Sequence, residues 1–249
     1  MTTSGARVRR LVSLIRKERY CPFCGWRGYR FEPFGNRVLH RNDALCPLCG
    51  SLERHRLAYL LLKDRIGRGQ KVLHAAPEPL MIPWLVGMSC EYLNVDLLRP
   101  AMRRMDLTDI DLPDASKTLV WCSHVLEHIP DDRKALTQMF RILEPGGMLI
   151  LQVPIGGETT YENPTLQSDA DRLVHFLQED HVRLYGLDLK QRIETAGFAC
   201  QVLSSDDLPK DLRARCAVDA TYFSEVFLCR KPEAAANPTT AAVAQAGSG

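Results

Sequence analysis

From Lys71 onward, short apolar runs alternate with stretches of helical periodicity. This alternation predicts an α/β fold in which parallel strands are joined by right-handed helical crossovers and helices cover both faces of one sheet. Strands are expected near residues 72–76, 91–97, 118–123, 148–153, 198–203 and 222–229, with helices near residues 131–143 and 187–196. The pattern accounts for most of the chain and leaves about 70 residues in front of it.

Two matching cysteine frames lie in that leading part of the chain. They read Cys-Pro-Phe-Cys-Gly at residues 21–25 and Cys-Pro-Leu-Cys-Gly at residues 46–50, with 21 residues between the inner cysteines. This spacing is typical of a zinc ribbon, in which four thiolates hold one tetrahedral zinc ion and the glycine after each pair supplies a positive φ. The predicted metal ligands are Cys21, Cys24, Cys46 and Cys49. The remaining cysteines lie in or beside apolar runs and are expected to be core thiols: Cys90, Cys122, Cys200, Cys216 and Cys229.

The charge distribution also divides the chain. Residues 1–71 hold 16 Lys and Arg against 5 Asp and Glu, a net charge of +11, and the rest of the chain has a net charge of −9. Such asymmetry indicates two modules, the first either suited to phosphate and acidic partners or merely solvated. No run reaches the roughly 18 apolar residues of a membrane span, and residues 1–10 lack the apolar block of a secretory signal. A cytoplasmic protein without a membrane partner is expected.

Local signals give the boundaries of the smaller segments. Val8, Leu11, Val12 and Ile15 recur at helical spacing, which predicts an amphipathic helix within residues 1–19. The ribbon is assigned to residues 20–50, and Ser51 is expected to cap a connecting helix within residues 51–69. From residue 232 to 249 the composition offers little to bury, so a disordered tail is predicted.

Ligands of an open parallel sheet bind beyond the carboxyl ends of the strands, where the winding reverses. The first strand ends at His74 and Ala75, and the second ends at Asp96. Asp96 follows His74 by 22 residues, the offset at which an acidic residue accepts hydrogen bonds from the ribose hydroxyls of a nucleoside cofactor. A nucleoside-binding edge is therefore predicted.

The later motifs make the chain resemble the class I S-adenosylmethionine-dependent methyltransferases of the type 11 group. The resemblance covers about residues 70–230 and rests on Asp96, on the acidic turn at residues 106–109, on Ser-His-Val-Leu-Glu-His at residues 123–128, on Leu-Glu-Pro-Gly-Gly at residues 143–147 and on Ala-Gly-Phe at residues 196–198. With its ribbon, the whole chain is similar to bacterial methyltransferase-domain proteins that carry an N-terminal zinc ribbon. The resemblance implies a Rossmann-like sheet, a methyltransferase domain at residues 70–231, and S-adenosylmethionine as the cofactor.

The resemblance also implies roles for individual residues. Asp96 would bind the ribose, Asp106 would accept the adenine amino group, and the strand end at Ser123 and His124 would face the sulfonium methyl. One departure is the first loop, which lacks the usual glycines and reads His-Ala-Ala-Pro-Glu at residues 74–78. Glu78 is expected to receive the methionyl ammonium there. The full predicted cofactor set is His74, Ala75, Glu78, Asp96, Asp106, Leu107, Ser123 and His124.

Substrate-facing groups are expected after the fifth strand. Residues 154–163 are rich in Gly and Thr and include Tyr161, which predicts a mobile lid. His181, Arg183 and Tyr185 alternate with apolar residues, so one face can offer them to an anionic or hydroxylated acceptor, or the segment simply forms a turn that caps the next helix through Asp188. His124 and His181 are the candidate catalytic bases.

Three functions remain open at this level. The first is methyl transfer to a small-molecule acceptor, with zinc in a structural position. The second is an RNA-directed methyltransferase whose basic ribbon stacks bases on aromatic side chains that alternate with arginines, although the same aromatics fit a small metal-dependent core. The third is a non-enzymatic zinc-ribbon binding protein with a degenerate cofactor fold, which the missing glycines suggest. The aromatic side chains concerned are Trp26, Tyr29, Phe31 and Phe34, and the arginines are Arg27, Arg30, Arg37 and Arg41.

Overall fold

The computed structural model describes residues 19–219 and 222–233. The predicted N-terminal helix and nearly all of the predicted tail lie outside the described residues. The ribbon consists of two antiparallel hairpins, β1 (Arg19–Tyr20) with β2 (Arg27–Gly28) and β3 (Glu32–Gly35) with β4 (His40–Leu45). Helix α1 (Glu53–Leu62) follows the second cysteine frame.

The body of the protein is a seven-stranded sheet. Its strands, with the helices between them, are β5 (Gln70–Ala75), α2 (Ile82–Met88), β6 (Ser89–Asp96), β7 (Arg103–Arg104), β8 (Lys117–Ser123), α3 (Asp132–Ile142), β9 (Leu143–Gln152), α4 (Asp169–Phe176), α5 (Leu189–Thr195), β12 (Ala199–Ser204), α6 (Lys210–Cys216) and β13 (Glu225–Arg230). A two-residue pairing of β10 (Tyr161–Glu162) with β11 (Arg183–Leu184) lies outside the sheet. Single 3₁₀ turns span Leu126–His128 and Ser205–Asp207.

The strand order is β12-β13-β9-β8-β5-β6-β7. Strands β5 to β9 are parallel, as the sequence predicts, and β13 runs antiparallel between β9 and β12. The winding reverses between β5 and β8, because β6 lies on one side of β5 and β8 lies on the other. The α/β architecture is confirmed, while the short strand β7 and the direction of β13 were not predicted.

Each face of the sheet buries its own set of side chains. Leu73, Ala75 and Val120 point to the face covered by α3 and α5, and Val72 and Trp121 point to the face covered by α1 and α2. The alternation follows from the twofold period of a strand, and burial on both faces explains why the strands read as continuous apolar runs. No helix within the described ranges has the length and apolarity that crossing a bilayer would require.

The start of α1 differs from the prediction. Leu52, not Ser51, is the capping residue, and the backbone N–H of Leu52 donates to Nδ1 of His55 at 3.0 Å. The Ser51 hydroxyl instead lies 3.2 Å from the Cys21 sulfur and 3.3 Å from the Cys49 sulfur. The Ser51 side chain, which the sequence predicts as the helix cap, thus contacts the cysteine sulfurs instead.

Arg56 joins the ribbon to the sheet domain. Its fully buried guanidinium donates to the carbonyls of Ala44 and Ser51 in the ribbon and of Cys216 and Ala217 at the end of α6. The same group lies over the Phe31 ring, 3.9 Å from its centroid. Because four carbonyls from two modules share one cation, which uses four of its five N–H donors, a buried polar contact holds the ribbon to the body.

A row of aromatic rings continues the contact into the core. Phe23 of the first cysteine frame packs on Tyr59, Tyr59 on Trp84, and Trp84 on Trp121 of β8, with centroids 4.7, 5.3 and 5.6 Å apart. Tilted and edge-on pairs of this kind contribute roughly 0.5–1.5 kcal/mol each beyond their buried area. The ribbon therefore packs on the seven-stranded sheet domain and is not a freely tethered module.

Candidate functional site

The four-cysteine cluster has the geometry of a metal site. Its four sulfur atoms all lie within 4.8 Å of one another, with Cys21 to Cys49 at 3.6 Å and Cys24 to Cys46 at 3.7 Å. Tetrahedral zinc with Zn–S bonds of about 2.3 Å separates its sulfurs by about 3.8 Å. The donor set and its spacing thus fit the ion that the sequence predicts.

The two frames have the same backbone structure. Gly25 donates to the carbonyl of Cys21 and Gly50 to that of Cys46, both at 2.9 Å, and both glycines have positive φ near 74°. This confirms the reason for a glycine after each pair, since a Cβ is disfavoured at such φ. Among the other cysteines, Cys122, Cys216 and Cys229 are buried as expected, Cys200 is half-buried and Cys90 is exposed.

The ribbon aromatics divide between core and surface. Phe31 is fully buried and Trp26 packs on it with centroids 5.2 Å apart, whereas Tyr29 and Phe34 are exposed. Arg41 pairs with Glu53 at 2.8 Å and is not free for a phosphate. Phe31 and Trp26 therefore agree with the interpretation that the ribbon aromatics form a small core.

Unsatisfied polar atoms line the carboxyl edge of the sheet at the reversal point. Ser123 and Gln152 are register partners at the ends of β8 and β9. Within the described residues, Ser123 Oγ and Gln152 Oε1 are buried without a hydrogen-bond partner. Such atoms cost about 1–3 kcal/mol each when left unpaired, so a cluster of them at a strand edge indicates a ligand-binding surface.

The first loop provides another such atom. Oε1 of Glu78 accepts hydrogen bonds from His55 at 2.7 Å and from Arg54 at 3.1 Å. Its Oε2 is buried and has no partner in the part of the chain that the structure describes. Burial acts to raise the pKa of Glu78, but the hydrogen bond from His55 and the charge of Arg54 outweigh it and hold that pKa well below its usual range. Glu78 is therefore an ionised carboxylate with one oxygen available.

Arg54 and His55 are site residues that sequence reasoning missed. They belong to α1, which no motif connects to the sheet edge, and the carbonyl of Arg54 accepts a hydrogen bond from Gln152 at 3.3 Å. The segment that follows the ribbon thus lies over the reversal point. Glu78 lies 24 positions after Arg54 and 23 after His55, so no local sequence pattern predicts these contacts.

The first loop, at residues 74–78, lacks glycine but contains one residue with the positive φ that glycine usually adopts. Ala76 has φ of 46°, and its N–H donates to the carbonyl of Val95 at 2.8 Å. Left-handed backbone costs a non-glycine residue about 1–2 kcal/mol. A small side chain therefore adopts here the conformation for which the usual loop employs glycine. Ala75, the last residue of β5, is buried.

His74 lies one position inside the strand end and is fully buried. Its Nδ1 is 2.9 Å from the Tyr92 hydroxyl, and its Nε2 has no partner among residues 19–219 and 222–233. Burial lowers the pKa of His74 from 6.5 to about 4, and Glu78 opposes the shift only weakly. The ring is neutral at physiological pH.

Asp96 is the last residue of β6, and Asp106 begins the turn that follows β7. Oδ1 of Asp96 accepts from the backbone of Leu98 and Arg99, both at 2.7 Å, and Oδ1 of Asp106 accepts from Thr108. Each carboxylate uses one oxygen to shape its own turn, which leaves the other for a ligand. A hollow of about 420 Å³ is lined by residues 97–101, which follow Asp96 directly, and by Arg104. Leu107 is buried in the core next to this turn.

His124 occupies the position where β8 ends. It has φ of 54°, donates its N–H to the carbonyl of Gln152 at 2.9 Å, and has its Nδ1 3.1 Å from Oε1 of Glu127. Burial lowers the pKa of His124, the charge of Arg54 lowers it further, and the hydrogen bond to Glu127 opposes both. A strained backbone at the reversal point is a recurrent feature of functional sites.

The other predicted substrate residues are placed differently. His181 is buried, with Nδ1 2.7 Å from the carbonyl of Phe176. Arg183 donates to the carbonyls of Ile129 and Pro130, and the Tyr185 hydroxyl donates to Asp132 at 2.7 Å. These contacts hold the segment after β8 against β11. Tyr161 is exposed, and its hydroxyl lies 3.3 Å from His175.

The predicted lid is tied to the same segment. Gly156 donates to the carbonyl of Tyr185 at 2.7 Å, and Oδ1 of Asp188 accepts from both the N–H and the hydroxyl of Thr160. Asp188 therefore anchors residues 154–163 and makes no side-chain cap on α5.

Comparison with known proteins agrees with this architecture. The family model described as a methyltransferase domain matches residues 81–151. A Mycolicibacterium smegmatis protein named "Probable S-adenosylmethionine-dependent methyltransferase" is 29% identical over 125 residues, which are 46% of this chain and 43% of that protein. The match therefore spans less than half of the length of this curated relative.

Two solved structures share the fold. An S-adenosylmethionine-dependent methyltransferase from Mesorhizobium loti aligns with a TM-score of 0.52 at 16% identity, covering 70% of this chain and 97% of that one. The 1,6-didemethyltoxoflavin-N1-methyltransferase of Burkholderia thailandensis, solved with 1,6-didemethyltoxoflavin and S-adenosylhomocysteine, aligns with a TM-score of 0.51 at 16% identity, covering 73% and 79%. Residues 81–151 therefore match a methyltransferase domain, and the chain shares the fold of these solved methyltransferases. The four-cysteine cluster lies outside the matched residues.

Proposed function

We propose that the protein transfers a methyl group from S-adenosylmethionine to a small-molecule acceptor at the carboxyl edge between β5 and β8. The observation that carries the proposal is the set of buried, unpartnered oxygens at this edge among the described residues: Glu78 Oε2, Ser123 Oγ and Gln152 Oε1. A polar ligand that inserts there would satisfy all three. When bound, the cofactor supplies an electrophilic methyl group on a sulfonium.

The nucleoside half of the cofactor fits the β6 side of the edge. Asp96 would accept from the ribose hydroxyls through Oδ2, and Asp106 would accept from the adenine amino group. Both carboxylates keep one oxygen in their own turn, so their positions are set before a ligand arrives. Preorganisation of this kind lowers the cost of binding.

The amino-acid half fits the first loop by charge. The ammonium would be received by the unpartnered Oε2 of Glu78, and Arg54 beside it would attract the carboxylate. Both groups lie next to each other in one ion pair. The left-handed Ala76 supports a binding-competent loop over the degenerate fold that the missing glycines suggested.

The methyl end fits the terminus of β8. Methyl transfer needs an aligned acceptor more than it needs a base, and alignment can contribute roughly 7–11 kcal/mol. If the acceptor loses a proton, His124 is the candidate base, because Nδ1 is held by Glu127 and Nε2 is left to accept the proton. His181, the other candidate, lies deeper and beyond Glu127.

The four-cysteine cluster would hold a structural zinc ion. Support comes from the sulfur separations and from the two matching frames. The acceptor is proposed to be a small molecule, in keeping with the 1,6-didemethyltoxoflavin bound by the Burkholderia neighbour.

Calorimetric titration with S-adenosylhomocysteine and with 5′-methylthioadenosine, which lacks the amino-acid half, tests the cofactor assignment. Asp96→Ala is expected to weaken both ligands at least tenfold. Asp64→Ala, a change at an exposed aspartate far from the edge, serves as the matched control and should leave both affinities unchanged. Absence of binding to the wild-type protein would reject the proposal and favour the non-enzymatic alternative.

A further inference from the structure

A second cluster of metal-ligating side chains lies next to His124. Glu127 and His128 are on the single 3₁₀ turn after β8, and His181 precedes β11. One ligand atom from each of the three residues lies within 4.8 Å of the other two. The cluster is separate from the cysteines of the ribbon.

The hydrogen bonds of the two imidazoles leave lone pairs for a metal. A carbonyl oxygen can only accept, so Nδ1 of His181 carries the proton that Phe176 receives at 2.7 Å, and Nε2 carries a lone pair. Nδ1 of His128 is 3.2 Å from the carboxylate and 3.3 Å from the carbonyl of Asp180, so Nδ1 is the donor, and Nε2 of the neutral ring carries a lone pair. Metal-binding histidines characteristically donate their other N–H to a carbonyl or a carboxylate.

Two buried acceptors face each other in this cluster. Nε2 of His181 lies 3.9 Å from Oε1 of Glu127, and both side chains are 1% exposed. Within the described ranges, His181 Nε2 and Glu127 Oε2 have no hydrogen-bond partner. Two facing acceptors need a hydrogen-bond donor or a cation between them, and a metal ion bound by both meets that need.

The surrounding backbone holds the three residues in place. Val182 donates to the carbonyl of Glu127 at 3.0 Å, and Arg183 links the same turn through the carbonyls of Leu126 and Ile129. Oε1 of Glu127 is already oriented by His124. First-row ions hold N and O ligands roughly 3–3.4 Å apart at bonds of about 2.1 Å, so small side-chain rotations would complete the site.

We propose that Glu127, His128 and His181 bind a divalent first-row transition ion such as Mn²⁺, Fe²⁺ or Zn²⁺. Two imidazoles and one carboxylate suit these ions better than Mg²⁺ or Ca²⁺, which prefer oxygen ligands. Three protein ligands leave coordination positions open, and His128 is the member of the set that reaches the surface. This part rests on the proposed function: an ion adjoining His124 selects acceptors that carry an oxygen donor, such as a hydroxyl or a carboxylate.

Titration with Mn²⁺ of full-length protein that carries a single equivalent of zinc, held by the four-cysteine cluster, tests the site, with free Mn²⁺ followed by electron paramagnetic resonance. Mn²⁺ binds thiolates weakly and leaves the four-cysteine cluster to zinc. About one equivalent is expected to bind the wild-type protein. His128→Gln and Glu127→Gln are expected to weaken binding at least tenfold, and His175→Gln, an exposed histidine on the neighbouring helix, should not change it.

His128 is only partly buried, so its variant is expected to fold even if the Glu127 variant does not, and retained zinc content checks the fold of both. Unchanged Mn²⁺ binding in His128→Gln, or no binding of Mn²⁺ or Co²⁺ by the wild-type protein, would overturn the proposal. So would ¹⁵N resonances showing His181 protonated on both nitrogens in the presence of metal, because a proton would then be the cation. The titration contains no S-adenosylmethionine, so its failure is distinct from failure of cofactor binding in calorimetry.

Discussion

His55 donates from Nε2 to Oε1 of Glu78 at 2.7 Å, while its Nδ1 accepts the backbone N–H of Leu52. The two contacts determine the tautomer of a neutral ring and join the segment after the ribbon to the first loop of the sheet. The helix that follows the ribbon therefore contacts the edge at which the cofactor is proposed to bind.

Glu78→Gln should selectively impair the amino-acid half of the cofactor. The amide still accepts from His55 and Arg54 through its oxygen, but it presents an NH₂ group where the ammonium is proposed to bind. We expect S-adenosylhomocysteine to bind at least tenfold more weakly and 5′-methylthioadenosine to bind as in the wild-type protein, both measured by calorimetry. Equal losses for the two ligands would instead indicate that the loop has collapsed.

His74 should make stability fall as pH is lowered. Its folded pKa of about 4 lies below the ordinary value of 6.5, so the unfolded chain takes up the proton first. The contribution is complete above about pH 6.5 and is lost toward pH 4, a total of about 3 kcal/mol. Urea unfolding from pH 7 to 5 should show a shallower pH dependence for His74→Gln than for the wild-type protein. His175→Gln is the control, and parallel curves for all three would contradict the assignment.

Removal of a cysteine ligand should remove the zinc. Structural zinc contributes about 10–16 kcal/mol to small metal domains, so Cys46→Ser is expected to lose both the metal and the ribbon fold. Elemental analysis should find about one equivalent more zinc in the wild-type protein and in Cys90→Ser, whose cysteine is exposed and outside the cluster, than in Cys46→Ser. Freshly reduced wild-type protein without zinc would disprove the assignment.

Arg56→Met should destabilise the protein by about 3 kcal/mol or more. The change leaves four buried carbonyls without their donor, and hydrogen bonds to charged groups contribute roughly 1.5–3 kcal/mol each before relaxation. Arg56→Lys should not restore stability, because an ammonium cannot reach the same four acceptors. Urea midpoints provide the measurement, with the exposed Arg65→Met expected to stay within about 0.5 kcal/mol of wild type.

Tyr185→Phe separates the two interpretations of the segment at residues 181–185. The hydroxyl donates to Asp132 in the core, so we expect a loss of about 1–2 kcal/mol in the free energy of unfolding and unchanged affinity for S-adenosylhomocysteine. A variant as stable as the wild type would favour a hydroxyl that serves a substrate. Thermal and urea unfolding decide between the two.

Features that depend on residues close together in the chain were predictable from the sequence. A strand alternates its side chains with a period of two and a cysteine knuckle closes within five residues, so the parallel strands and the four sulfur ligands follow from spacing. The placement of Asp96 at a strand end follows in the same way.

Features that depend on the packing of distant segments required the folded protein. The contact of Arg54 with Glu78, the capture of Ser51 by the cysteine sulfurs and the antiparallel insertion of β13 all join residues that share no local pattern. Glu127 and His181 are 54 positions apart, and only the fold brings their acceptor atoms to 3.9 Å. Periodicity reveals which face of an element is buried, but the partner across that face is chosen by the free energy of the whole packed structure, and the proposed cofactor edge is composed of such partners.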